Sequence, residues 1–222
     1  MRYVVLTIKY DIMVNYKGIE VKSKNVLVVN MNEGNRQSAP GRLELVRTFL
    51  NTWRIPNQTR VLTEFLLTQE DVERFQTEHF PHLTRTVARD TVIQLRSDLR
   101  ETIAPGKGDI SELNSWLRLY PFVARIGYSR TESESEVCYQ PIEEQRDLCA
   151  ELLVIVVQAI ERKMWSRLKA CPDCRLVFYD YTKNVSKVWC GMLANGPQGR
   201  ACGSIAKVRH WRKQHQTKKD NR

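Results

Sequence analysis

Apolar residues recur at helical spacing through most of this chain from residue 40 onward. Leu43, Val46, Phe49, Leu50 and Trp53 share one face of a helix that Ser38 caps, Pro40 opens and Pro56 stops. Thr68 and Asp71 form a capping-box pattern that starts a second helix, which runs to about His79 before Pro81 breaks it. Val87, Val92, Leu95 and Leu99 predict a third helix over about 83–103, ended ahead of Pro105. A short fourth helix, capped by Asp109 or Ser111, carries Leu113, Trp116, Leu117 and Tyr120. The longest helix is predicted over about 143–168, with Leu148, Leu152, Ile155, Val156, Ala159 and Met164 turned inward.

Strand-like runs are fewer. Residues 3–8 and 25–30 predict a hairpin, and 122–128 with 137–139 predict a second one around a polar loop at 129–136. The expected organisation is a β-rich extension over 1–38, a mainly helical domain over 39–168, a cysteine-bearing module over 169–216 and a basic tail over 217–222. No run approaches the 18 or so apolar residues of a membrane span, so no membrane partner is expected. The start has a single basic residue, a short apolar run and no cleavage pattern, which predicts a cytoplasmic protein. Clustered cysteines in that reducing setting are ligands more often than disulfides.

The six cysteines are unevenly spread. Four of them, Cys171, Cys174, Cys190 and Cys202, fall in the last quarter as two separated thiol pairs. Pro172-Asp173 is a turn dipeptide that lets Cys171 and Cys174 reach one ion from successive backbone corners. Phe178, Tyr179 and Tyr181 are expected to floor such a site and Trp189 to cover it. The cofactor predicted is one structural Zn²⁺, and the fold class is α+β with a C-terminal four-cysteine zinc module. A redox Cys-x-x-Cys is the competing reading, but it sits beside a βαβ pattern that this sequence lacks. Cys138 and Cys149 read as small buried hydrophobes.

Charge adds a direction. Residues 161–222 hold fifteen Lys and Arg against four Asp and Glu, a net of +11, while the other 160 residues sum to −1. A helix over 203–216, capped by Ser204, follows the last cysteine. It turns Ile205, Val208 and Trp211 toward the zinc module and spreads Lys207, Arg209, Arg212 and Lys213 outward. With Lys187, these are the expected nucleic-acid contacts, and DNA is the expected partner. A zinc-stapled protein-interaction or RNA-binding module is the alternative. His210 and His215 read as surface residues, and His79 and His82 as helix-end residues. No Gly-rich phosphate loop, H-E-x-x-H or G-x-S-x-G is present, and a closed four-thiolate site leaves no position for a reactive water, so no enzyme is predicted.

The motifs Cys171-Pro172-Asp173-Cys174, Phe178-Tyr179-Asp180, Lys187-Val188-Trp189-Cys190 and Cys202-Gly203-x-x-Ala206-Lys207 resemble the CGNR zinc finger family of bacteria. Thr48-Phe49-Leu50-Asn51-Thr52 and Leu67-Thr68-x-x-Asp71 are similar to the ABATE domain that usually precedes this finger. The resemblance implies a stress-linked bacterial transcription regulator whose finger binds DNA. Two departures stand out. Ser204-Ile205 replaces the family's Asn-Arg, and residues 195–200 lengthen the gap between the last two cysteines. Both bear on base reading and leave the ligands intact.

Overall fold

The computed structural model describes residues 38–57, 59–104, 110–128, 135–194 and 200–220, with backbone alone at 214 and 216–220. The predicted strands at 3–8 and 25–30, the Asp109 cap and most of the loop at 129–136 lie outside these residues. Six α-helices and three antiparallel strand pairs are present among the described residues, an α+β fold.

Helix α1 (Leu43–Leu50) buries Leu43, Val46, Phe49 and Leu50, the face its spacing predicts. Its cap differs from expectation. Arg42 holds the N-cap position without a side-chain bond, and Gly41, at φ 55°, makes the turn into the helix. Trp53 has left the helix for strand β1 (Trp53–Arg54), which pairs with β2 (Thr63–Glu64).

Helix α2 (Gln69–His79) has the predicted capping box. The Thr68 hydroxyl accepts from the Asp71 N–H at 3.3 Å, and the Asp71 carboxylate accepts from the Thr68 N–H at 3.0 Å.

Helix α3 (Arg89–Thr102) starts six residues later than the pattern suggests. The amide of Gln69 accounts for this: it accepts from the Arg89 N–H at 2.8 Å and donates to the Val87 carbonyl at 3.1 Å. Gln76 donates to the Leu83 carbonyl as well. These bonds hold 83–88 out of the helix while Leu83 and Val87 still bury their side chains. Helix α4 (Ser111–Leu119) buries Leu113 and Trp116, and Ser111 lies in its first turn, with no side-chain cap bond at Ile110.

Strands β3 (Phe122–Tyr128) and β4 (Ser135–Pro141) form the second predicted hairpin, in register from Phe122↔Pro141 to Tyr128↔Ser135.

Helix α5 (Leu148–Glu161) is shorter than predicted at both ends. Asp147 caps it by accepting from the Ala150 N–H at 3.0 Å, so residues Glu143–Gln145 form a separate 3₁₀ turn. At the far end Lys163 adopts φ 57°, and the Met164 N–H closes back on the Ala159 carbonyl at 2.8 Å. Every residue of α5 from Leu148 to Val156 is buried, because α1 and α3 pack on it and β4 covers another side. With Phe49, Leu50, Leu95 and Leu99, the side chains of Leu148, Leu152, Leu153, Ile155 and Val156 form the main core. Each such fully buried side chain contributes roughly 1.5–3 kcal/mol. Cys149 is buried here as expected, whereas Cys138 on β4 is half-buried.

After a 3₁₀ turn at Trp165–Arg167, β5 (Leu168–Ala170) pairs with β6 (Val177–Tyr179). Leu168, Val177 and Tyr179 join the main core. The chain ends in α6 (Cys202–Asp220), which at 19 residues is the longest described helix and displaces α5 from that rank. No helix among the described residues is long and apolar enough to cross a membrane.

Candidate metal centre

The β5–β6 turn builds the first half of the site. The Arg175 N–H donates to the Cys171 carbonyl at 2.8 Å and the Cys171 N–H to the Leu176 carbonyl at 2.9 Å, with Arg175 at φ 62°. This tight corner aims Cys171 and Cys174 at one point. The second half joins residues 190–192 to the start of α6. The Gly203 N–H donates to the Gly191 carbonyl at 2.9 Å, and the Ser204 hydroxyl donates to the Met192 carbonyl. Ser204 therefore anchors the helix start rather than capping it. Gly203 sits close under Met192 and Trp189: a Cβ there would lie 2.2 Å from Met192 Sδ, which would have to swing aside, and 3.1 Å from the Trp189 ring.

These two corners bring together all four predicted ligands. The Sγ atoms of Cys171, Cys174, Cys190 and Cys202 lie within 4.8 Å of one another, and all four residues are buried. Cys174 and Cys190 are separated by 3.5 Å, Cys190 and Cys202 by 3.7 Å. Four sulfurs at about 2.3 Å around a tetrahedral Zn²⁺ have edges of about 3.8 Å, whereas a disulfide is about 2.05 Å long. The quartet fits the ion and not a bridge.

Electrostatics lead to the same place. The neighbouring Cys171 sulfur and burial push the thiols of Cys174 and Cys190 up, and burial with nearby thiolates does the same at Cys202. Cys171 is pulled down by its sulfur neighbours and by the Cys174 and Cys190 N–H groups. Four thiolates at this spacing need a cation among them. The donors are soft and complete a closed coordination shell, so the residues present fit one structural Zn²⁺.

Phe178 floors the site with Leu176, and Trp189 packs against it, as expected. Tyr179 belongs instead to the main core, and Tyr181 is exposed with its hydroxyl donating to the Ser38 carbonyl. Asp180 is fully buried and organises the loop that follows. It accepts from the Thr182 hydroxyl and N–H, the Lys187 N–H at 2.8 Å and Lys169 Nζ at 2.9 Å. Burial alone would raise its pKa; these donors hold it well below the usual carboxylate range. The Lys187 ammonium lies 5.1 Å from the centre of the Phe178 ring, and that side chain is half-buried.

One residue that the spacing rule did not single out is Asp173, between the first two ligands. Its side chain is 7% exposed and receives three guanidiniums: Arg200 at 2.6 Å, Arg60 at 3.2 Å and Arg209 at 3.4 Å. Arg200 in particular holds its carboxyl below the ordinary range. Asp173 thus ties the β1–β2 loop, the segment before Cys202 and helix α6 to the first metal corner. The contributors lie too far apart in sequence for any local signal to announce them.

Further bonds fasten the module to the helical body. The Asn51 amide donates to the Val177 carbonyl at 2.9 Å and accepts from the Val177 N–H at 2.7 Å, extending the β6 edge as a strand would. The Ile55 N–H donates to the Cys174 carbonyl at 2.9 Å. Arg100 donates to the carbonyls of Leu50 and Arg175, its guanidinium 4.7 Å from the Trp53 ring centre and its pKa lowered by burial to about 10.

The basic residues of α6 lie beyond the first turn. Lys207, Arg209, Arg212 and Lys213 are all exposed, with Arg209 leaning on Asp173. The predicted apolar face is not turned inward: Val208 and Trp211 are exposed, Trp211 at 58%, and the Trp211 ring stacks on His215 at 4.1 Å. The first turn of α6 packs on the finger, where Ile205 is half-buried, and Arg209 reaches back from further along the helix to Asp173. His210 and His215 are exposed as expected. His79 ends α2, and His82 lies 3.4 Å from Glu151.

A search of curated proteins returns no match to the chain. The family model of the CGNR zinc finger matches residues 167–215, the stretch that contains all four ligands, the Asp180 loop and the base of α6. The C-terminal module is a zinc-binding finger of the CGNR type.

Proposed function

We propose that this chain is a zinc-containing DNA-binding protein of the bacterial cytoplasm that regulates transcription, with residues 39–168 acting as an ABATE-like domain. The observation that carries the reading is the position of α6. Its first residue is the metal ligand Cys202, and Lys207, Arg209, Arg212 and Lys213 follow on exposed surface. A helix rooted in a metal site and braced by Asp173 holds its charges on a rigid element, with Arg209, Arg212 and Lys213 on one side and Lys207 on the other. Such charges neutralise phosphates at little ordering cost, with Lys187 adding charge on the flank of the finger. The +11 segment supplies long-range attraction toward a polyanion. The chain is not read as an enzyme, since four thiolates close the metal shell.

The exposed Trp211–His215 stack supports a second reading, an RNA-binding or protein-interaction finger, because an aromatic pair on a basic helix offers a stacking surface for unpaired bases. Titration against duplex DNA and single-stranded RNA across a salt series separates the two. The DNA reading predicts tighter duplex binding, with a logarithmic salt slope that falls by about 1 in Arg212→Gln. Binding indifferent to salt, or absent, contradicts it.

A further inference from the structure

A cavity of about 700 Å³ opens between the start of α1, the turn after α2, strand β4 and the first turns of α5. That volume is typical of small-molecule sites. Its floor is the Glu151 carboxylate, on a side chain only 2% exposed. Arg42 Nη2 donates to it at 2.6 Å and Arg146 Nε at 2.9 Å, with His82 Nε2 at 3.4 Å. One guanidinium is enough to neutralise one carboxylate, and here two guanidiniums and an imidazole converge on a single one. Arg85 lines the same cavity and donates through Nη1 to the Glu144 carbonyl.

Three guanidiniums line the cavity with two carboxylates, Glu143 and Glu151, and Arg85 also feels the buried Asp147 carboxylate at the start of α5. The bonds named, together with Arg146 Nη1 to Glu143 at 3.3 Å, use one nitrogen each of Arg42 and Arg85 and two of Arg146. Each guanidinium carries five N–H donors. The Arg42 and Arg146 side chains are also 50% and 39% exposed, so they are pinned by Glu151 yet open to the cavity. A buried carboxylate that fixes the heads of half-exposed arginines is the arrangement that pre-organises a fork for a planar or tetrahedral oxyanion.

We propose that this cavity binds a small oxyanion ligand, a carboxylate or a phosphate monoester, through Arg42, Arg85 and Arg146. The site lies on the helical body and is independent of the reading of α6. Calorimetric titration of the full zinc-loaded chain with inorganic phosphate, and separately with succinate, tests it against sodium chloride at matched ionic strength. One of the two probes is expected to saturate at one per chain, and which one does so identifies the ligand class.

Arg42→Gln and Arg85→Gln are each expected to weaken that binding about tenfold, the loss of one charge-assisted bond. Arg85 has no bond to Glu151, so its variant keeps the Glu151 network should Arg42→Gln fail to fold. The double variant Arg212→Gln with Lys213→Gln on α6 is expected to bind as the parent does. Heats no larger than those of chloride for both probes, or binding kept in Arg85→Gln and lost in the α6 variant, would overturn the assignment.

Discussion

The helical body and the finger are stabilised by different physics. In the body, α1, α3 and α5 bury a continuous apolar core in which Phe49, Leu95 and Leu152 are wholly out of water. The finger's own cluster contains Phe178 and the four cysteines, with Leu176 and Trp189 packed against it. A cluster of that size cannot offset the entropy of ordering 171–202. The metal makes up the difference, and the body lends a wall: Val177 and Tyr179 of the finger segment point into the main core. The finger is thus half metal-folded and half docked.

The sharpest division follows metal removal. Chelation in reducing buffer, or Cys190→Ser, is expected to abolish folding free energy on the order of 10 kcal/mol that the ion supplies. Amide spectra then lose dispersion for 171–215 while signals of α1, α3 and α5 persist. Collapse of the whole spectrum would show that the body has no stability of its own.

The converse perturbation is Phe49→Ala, expected to cost about 3–5 kcal/mol through the cavity it leaves. It lowers the melting temperature of the body with zinc content per chain unchanged. Asn51→Ala probes the junction and is expected to cost about 1–3 kcal/mol, because it strands the buried N–H of Val177, whose carbonyl keeps Arg47 Nη1 at 3.2 Å. This variant, unlike Phe49→Ala, weakens zinc retention in a chelator competition as well as thermal stability.

The smallest effect is a difference in acid response. Burial would raise the pKa of Glu151, but Arg42 and Arg146 hold it below its ordinary 4.5. A depressed carboxylate contributes stability that is present above the ordinary value and is lost as pH falls through the folded one. Thermal melts are expected to show the gap between the parent and Glu151→Gln closing as pH drops below about 4.5. A gap constant from pH 7 to 3 would remove Glu151 from that role.

The ligands and the helices were legible in sequence because each has a local signature. Cys-x-x-Cys reports a metal corner, Thr68 and Asp71 report a cap, and the spacing of Val92, Leu95 and Leu99 reports a buried face. What was illegible depends on partners distant in the chain. Gln69 delays α3 from twenty residues away, Asn51 grips a strand 126 residues on, and Asp173 collects arginines from both sides of the finger. The inward face assigned to Val208 and Trp211 failed for a related reason. Periodicity locates an apolar stripe but cannot say whether any element lies opposite it.

X-ray absorption at the zinc edge of freshly reduced protein tests the central claim most directly. The account predicts one zinc per chain with four sulfur neighbours at about 2.3 Å and no lighter atom in the first shell. A shell containing nitrogen or oxygen, or zinc-free protein whose cysteines are joined in disulfides, would contradict it.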